Sequence, residues 1–145
     1  MSNRTFWLLA VMLTASSFCS AQVVIEKPSK AGKAGVLVQD IGLETLGGVF
    51  TPLLKRGCQL PCETTQIFST ADDNQSQIKI SLFRGSTNLT KSAHKLWAYE
   101  VVGIRPMARG LPQVAVTLSA TNDAISISAF DKETAKPLEI KRREF

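Results

Sequence analysis

The side chains that could do chemistry are few and scattered in this 145-residue sequence. The single histidine, His94, lies in the polar run Lys91–Lys95, which favours a solvated side chain and cannot supply a His-rich metal centre. No nucleophile-elbow motif surrounds a serine that could act with His94. Asp72 and Asp73 are adjacent, so a turn role is favoured over a cation site. We therefore predict no catalytic residue, no metal ligand and no enzyme activity.

Two of the three cysteines, Cys58 and Cys62, form a C-x3-C pair. If the residues between them are extended, the two Cα atoms lie about 13 Å apart, whereas a disulfide needs less than about 7 Å. Either a tight turn brings the two cysteines together or both thiols stay free. The pair is a poor zinc motif, because no second pair or histidine lies nearby.

Composition places the chain among globular proteins, with 44% hydrophobic and 20% charged residues. The formal net charge of +5 permits weak contact with anionic surfaces. It does not predict a nucleic-acid partner. The length suits one ordinary domain.

Residues 1–21 resemble a secretory signal peptide. Arg4 is the only charge before the apolar run Phe6–Leu13, and small and polar residues follow as far as Ala21. The run is too short to cross a bilayer, which takes roughly 20 residues. We expect cleavage after Ala21, a periplasmic or secreted location and no membrane contact afterwards. An uncleaved anchor or a misassigned start are the alternatives.

Residues 22–36 are predicted to be a linker before a domain that spans 37–145. Val23–Ile25 is compatible with a short strand, and Ser29–Gly35 (SKAGKAG) has the composition of a flexible linker. The Gly-Lys pair in this segment lacks the GxxxxGK spacing of a phosphate-binding loop. No nucleotide site is therefore predicted.

Beyond Val36, apolar and polar residues alternate, which is typical of half-buried antiparallel strands. The inward-facing sets are Ile78, Ile80 and Leu82; Val114, Val116 and Leu118; Ile125, Ile127 and Ala129; and Leu138 with Ile140. Thr121–Asp123 is a polar break that predicts a hairpin turn. The pattern favours an all-β fold, a two-sheet antiparallel β-sandwich.

Prolines are expected where strands begin or end. They stand at Pro52, Pro61, Pro106, Pro112 and Pro137. No long amphipathic helix is predicted, and the ambiguous stretch Thr87–Lys95 is interpreted as a loop or a polar edge strand.

Three blocks of sequence carry a resemblance to a known family. They are Ile41–Phe50 (IGLETLGGVF), Gln66–Ser76 (QIFSTADDNQS) and Ala108–Val114 (ARGLPQV). In this order and at this spacing, they resemble the β-sandwich substrate-binding domain of the seventy-kilodalton heat-shock chaperones, the DnaK type. The resemblance covers about Ile41–Ile140, without a gap as far as Gln113. The residues of the first two blocks are typical of the bacterial and mitochondrial branch of the family.

The resemblance implies a groove that binds an extended, apolar segment of an unfolded polypeptide. In that family's pattern, Leu46 and Ala71 would form an arch over the peptide. The pocket would be lined by Leu43, Val49, Phe68, Ile78, Ile80 and Val114. Main-chain groups of Thr45, Leu46 and Gly47, and of Ser69–Ala71, would bind the peptide backbone. For Phe68, Ile80 and Val114, an ordinary core position is an equally good interpretation.

The sequence also departs from the family's pattern. It has no counterpart of the ATPase domain or of the helical lid, and Ala31–Gly35 stands in place of the acidic, leucine-rich linker. Cys58 and Cys62 replace threonines, and Trp97 replaces a glycine. We therefore expect an ATP-independent holdase without cofactor, served at most by a separate ATPase partner. The alternative is a repurposed structural or interaction sandwich that no longer binds peptides.

Overall fold

The computed structural model describes residues 23–25 and 35–143 of the chain. Its strands are β1 (Val23–Ile25), β2 (Asp40–Thr45), β3 (Val49–Leu54), β4 (Cys62–Phe68), β5 (Gln77–Gly85), β6 (His94–Val102), β7 (Val114–Ala120), β8 (Ile125–Asp131) and β9 (Glu139–Arg143). Within these ranges the only helical segment is a 3-10 turn at Thr90–Ser92. It lies in Thr87–Lys95, the stretch that was interpreted as a loop or a polar edge strand. The all-β prediction is confirmed.

The strands form two antiparallel sheets. One has the order β1-β8-β7-β4 and the other β3-β2-β5-β6-β9. Apolar residues from both sheets fill one core, and Leu82, Val101 and Leu118 at its centre are 0% exposed. The predicted two-sheet β-sandwich is therefore confirmed.

Alternation identified the strands that bury one face. On β5, Ile80 and Leu82 are buried and Ile78 packs against the core at its margin. A β-bulge after Leu82 then shifts the register, so that Phe83 is also buried. The extra residue at a bulge changes which face the following side chains occupy.

The prediction that proline marks strand ends is wrong for Pro52, which lies inside β3. It pairs with Gly42 at a β-bulge between Ile41 and Gly42. Because β3 is an edge strand of its sheet, a residue without an N–H group is tolerated there. The other prolines that were expected at strand boundaries lie outside the strands: Pro61, Pro106, Pro112 and Pro137.

The predicted hairpin connects β7 and β8. The Thr121 N–H donates to the Ala124 carbonyl at 2.7 Å, and the Ala124 N–H donates back to the Thr121 hydroxyl oxygen at 3.0 Å. Local side-chain bonds of this kind stabilise tight turns.

Cys58 and Cys62 form a disulfide within a turn between β3 and β4, with Cα atoms 6.5 Å apart. Of the two alternatives for this pair, the structure has the turn. The Leu60 N–H of the turn donates to the Gly35 carbonyl at 2.7 Å, so the turn is attached to the segment that leads into β2.

The short strand predicted at Val23–Ile25 is present as β1 and pairs with β8. The whole of the predicted signal peptide, residues 1–21, and most of the predicted linker lie outside the described residues. Within the described ranges, no helix is long and apolar enough to cross a membrane.

Candidate peptide-binding site

An apolar cavity of about 230 Å³ opens at the end of the sandwich where β2 turns into β3. Its lining residues come from β2, from the turn after it, from β4 and from β5: Leu43, Glu44, Thr45, Leu46, Phe68, Lys79 and Ile80. Phe68 belongs to one sheet and Leu43 to the other, so both layers contribute to the wall. Small-molecule sites usually enclose about 300–1,000 Å³. A smaller cavity therefore suits a single side chain of a longer polymer.

The floor of the cavity is part of the hydrophobic core. Leu43 and Ile80 are buried inner-face residues that also pack within the main cluster. The Thr45 hydroxyl is 3.0 Å from the Thr51 hydroxyl, which ties the end of β2 to β3. The cavity wall is thus held by strand pairing and by core packing.

Leu46 lies beside the mouth, at the start of the turn between β2 and β3, and is 100% exposed. The turn needs glycine, because Gly47 and Gly48 adopt φ angles of +85° and +71°. Thr90 braces the turn from the loop after β5, since both its N–H group (2.9 Å) and its hydroxyl (3.0 Å) donate to the Gly48 carbonyl. A large apolar side chain is therefore held in water next to an apolar cavity.

The structure brings together five of the eleven predicted site residues in the cavity lining: Leu43, Thr45, Leu46, Phe68 and Ile80. The other six do not line it: Gly47, Val49, Ser69, Ala71, Ile78 and Val114. Val114 is 1% exposed inside β7, and Ile78 is partly buried and packs against the core. Val49 is exposed at the start of β3 and bridges to Leu89.

Two lining residues, Glu44 and Lys79, were missed by the sequence analysis. Both are exposed, and each directly neighbours a predicted pocket residue on its strand, Leu43 on β2 and Ile80 on β5. The alternation that identified the inward residues also implies that their strand neighbours lie on the other face. At the end of a sheet, a side chain on the other face can still reach the rim of a cavity. The position of Glu44 and Lys79 next to predicted pocket residues was therefore the signal in the sequence that could have identified them.

The loop of residues 69–76, between β4 and β5, contains Ser69 and Ala71. The Ser69 hydroxyl donates to the Pro112 carbonyl at 2.7 Å, and the Ala71 N–H donates to Gln75 Oε1 at 2.9 Å. Ala71 itself is exposed. The loop is therefore ordered by its own side chains and by the loop before β7.

The loop of residues 103–113, between β6 and β7, braces the 69–76 loop. The Gly110 N–H donates to the Thr70 carbonyl at 3.0 Å, and the Arg109 N–H donates to Asp73 Oδ1 at 2.9 Å. Asp73 thus has the loop-stabilising role that was favoured over a cation site. Within the described residues, no group of three or more His, Cys, Asp and Glu side chains could hold a metal ion.

Asp131 anchors the 103–113 loop to the end of β8. Its carboxylate accepts from Arg105 Nε at 2.9 Å and from the Glu133 and Thr134 N–H groups at 2.9 and 3.2 Å. Burial by itself raises the pKa of this carboxyl group, but the hydrogen bonds from Arg105 and from the Thr134 and Glu133 backbone outweigh it. The net effect is a pKa below its usual value.

Replacing Asp131 by asparagine should lower the free energy of unfolding by about 1–2 kcal/mol near neutral pH, since a charged acceptor is lost. The folded pKa is depressed, so the stabilisation is present above the unfolded pKa of about 3.9 and is lost as pH falls through the folded value. The difference in urea stability between wild type and Asp131→Asn should therefore begin to shrink as the pH falls below about 4 and should disappear below the folded pKa. Asp123→Asn, at the exposed hairpin, is the control and should cost little at any pH; a constant Asp131→Asn deficit would contradict the assignment.

Comparisons with known proteins agree with this architecture. A model of the Hsp70 protein family matches residues 22–144. The chain is 41% identical over 104 residues to the mitochondrial heat shock 70 kDa protein of Pisum sativum, a match that covers 71% of this chain and 15% of that protein. The chain therefore corresponds to about one seventh of the length of that relative. With the three sequence blocks and the two-sheet sandwich, these matches show that the chain belongs to the Hsp70 family, within its substrate-binding β-sandwich.

Proposed function

We propose that this chain binds extended, apolar segments of unfolded polypeptides at the cavity, as a holdase. The observation that supports this most is the fully exposed Leu46 beside an apolar cavity that both sheets line. A solvent-exposed leucine at a cavity mouth gains most when an apolar partner covers it.

Main-chain hydrogen bonds would give the site its breadth of clients, and the apolar pocket would give it a preference. Main-chain hydrogen bonds to an extended peptide do not depend on its sequence, so they allow many clients. Burying a leucine-sized side chain contributes roughly 1.5–3 kcal/mol. A peptide with leucine at the anchor position should therefore bind about ten- to a hundredfold more tightly than the alanine peptide.

The charges at the rim support an uncharged occupant. Glu44 and Lys79 carry opposite charges, and among the described residues neither forms an ion pair. One charge of each sign lies at the mouth, so the rim does not favour acidic anchors over basic ones. An aliphatic or aromatic anchor gains the free energy of burying its apolar surface and needs no charged partner at the rim.

Replacing Leu46 by aspartate should weaken binding of a fluorescent peptide with a leucine-rich centre by about tenfold or more, because the apolar cover is lost. Fold stability should not change, since the side chain is fully exposed. Fluorescence anisotropy gives the affinity, and thermal unfolding checks the fold. The control is Val38→Asp. Val38 is 48% exposed and lies just before the first residue of β2, at the end of the strand opposite to Leu46. Wild-type affinity in Leu46→Asp would refute the site.

A repurposed interaction sandwich is the second candidate. The features that favour it lie away from the cavity: the disulfide turn at Cys58–Cys62 and the Arg142 guanidinium stacked 3.5 Å from the centre of the Trp97 ring. A broad peptide array separates the two functions. The holdase should prefer apolar centres, whereas uniform weak signals would favour the interaction domain.

We also propose export, with a periplasmic or secreted mature chain. The arguments are the signal-like residues 1–21 and a cysteine pair that can form a disulfide, a bond typical of oxidising compartments. The relative from Pisum sativum is described as mitochondrial. Mass spectrometry of the mature chain tests the proposal: a first residue at Gln22 supports export, and an intact Met1 contradicts it.

A further inference from the structure

The edges of the two sheets are protected to different degrees. The edge of β3 is covered by the loop after β5, since the Phe50 N–H donates to the Asn88 carbonyl at 3.1 Å. The edge strand β9 carries consecutive cations at Lys141, Arg142 and Arg143, and β1 has only three residues. Charge, coverage and shortness are the usual ways in which proteins prevent edge-to-edge pairing.

Among the described residues, the edge strand β4 is the least protected of these four edges. It pairs on one side only, with β7, over seven residues. Glu63 is its single charged side chain, and Ile67 is 39% exposed. The outer edge thus offers a row of main-chain donors and acceptors with an apolar side chain beside it.

We propose that β4 strands from two copies of this chain pair antiparallel about a two-fold axis at Thr65. This joins two four-stranded sheets into one continuous sheet. In that register, Thr65 lies opposite the second copy's Thr65, and Glu63 lies opposite the second copy's Ile67. The two Glu63 carboxylates are then offset by four residues, or about 13 Å along the strands. The strand is therefore self-complementary, without like charges face to face.

The side chains on the outer face of the sheet also favour a second copy of this chain as the partner of β4. Thr65, Thr117 and Ser128 form one row across β4, β7 and β8, and the Thr65 and Thr117 hydroxyls lie 2.7 Å apart. In the dimer this row of uncharged hydroxyl side chains continues into the second copy. β-branched threonine pairs are favourable cross-strand neighbours.

The expected dimer is weak and reversible. Pairing of a single seven-residue edge buries less than the roughly 1,000 Å² that a stable interface needs. Each copy also has a formal charge of +5, so the two copies repel at low salt. Dimerisation should therefore increase with protein concentration and with ionic strength.

Sedimentation equilibrium of the purified chain, across about a hundredfold range of concentration, tests the proposal. Wild type should move from monomer to dimer. Thr65→Lys and Thr65→Glu should each stay monomeric, because like charges then meet at the axis. An equimolar mixture of the two variants should dimerise again. Asn122→Lys, with the same added charge at the β7–β8 hairpin, should dimerise like wild type.

A second pair of variants guards against a folding defect at position 65. Ile67→Lys places a cation opposite each Glu63 and should strengthen the dimer at low salt, whereas Ile67→Glu should abolish it. Circular dichroism verifies the fold of every variant. A wild type that stays monomeric throughout, a dimer that persists in Thr65→Lys, or a mixture that fails to reassociate would each overturn the proposal. The assay contains no peptide, so its outcome is independent of the holdase function.

Discussion

Replacing Gly42 by alanine is expected to destabilise the sandwich by about 3 kcal/mol or more. A Cβ atom at this position would lie 2.1 Å from the Thr51 carbonyl oxygen and 2.7 Å from Pro52 Cα. Both are backbone atoms of β3, so no side-chain rotation relieves the clash. The strands β2 and β3 would have to separate at their bulge, and the cavity residues Leu43 and Thr45 would shift with β2.

Urea unfolding followed by tryptophan fluorescence measures this loss. The control is Gly85→Ala on β5 of the same sheet, where the new Cβ would meet Ala93 Cα at 3.4 Å, an ordinary contact. The control should stay within about 1 kcal/mol of wild type, since alanine also restricts the unfolded chain. Equal stability of Gly42→Ala and Gly85→Ala would contradict the close approach at the bulge.

Removing the Arg143 side chain is expected to cost about 3 kcal/mol. Arg143 donates to the carboxylate of Glu100, whose side chain is 2% exposed on β6. The other oxygen of Glu100 has no hydrogen-bond partner within the described residues. Arg143→Ala therefore leaves a buried carboxylate without its cation. Lys79 and Lys141 flank Glu100 in register on the neighbouring strands and limit the loss.

A double-mutant cycle with Glu100→Gln isolates this effect. In the Glu100→Gln background, Arg143→Ala should cost less than about 1 kcal/mol, because a neutral amide needs no cation. Lys132→Ala is the surface control: Lys132 is exposed and forms no ion pair among the described residues, so the loss should be within about 1 kcal/mol. A full Arg143→Ala penalty in the Glu100→Gln background would show that charge burial is not the cause.

Strand prediction succeeded where one face of a strand is buried and the other face is at least partly accessible to solvent. The residues of β8 alternate in this way over the whole strand, and those of β7 do so from Val116 onward. The hairpin between the two strands was located to within a residue. Alternation did not reveal β6, because Tyr99, Glu100 and Val101 are consecutive and all buried. A central strand that is covered on both faces loses its period of two. Pro52 similarly hid β3, which tolerates it as an edge strand.

The motif blocks located the candidate site, but spacing could not rank the residues in them. Ile78 and Ile80 alternate on one strand, yet only Ile80 lines the cavity. Val114 fits the same pattern and is a core residue of the opposite sheet. Whether an inward side chain meets the core or an opening depends on its distance from the end of the sandwich, which local periodicity does not encode.

The sequence by itself determined the fold class and the family resemblance, since these depend on side-chain period and on residue types at fixed spacing along the chain. Tertiary structure decided which residues meet at the cavity, whether Cys58 and Cys62 approach each other, and which sheet edge stays open. Those properties arise from how distant strands pack and pair, and contacts between residues far apart in the chain leave no fixed spacing in it.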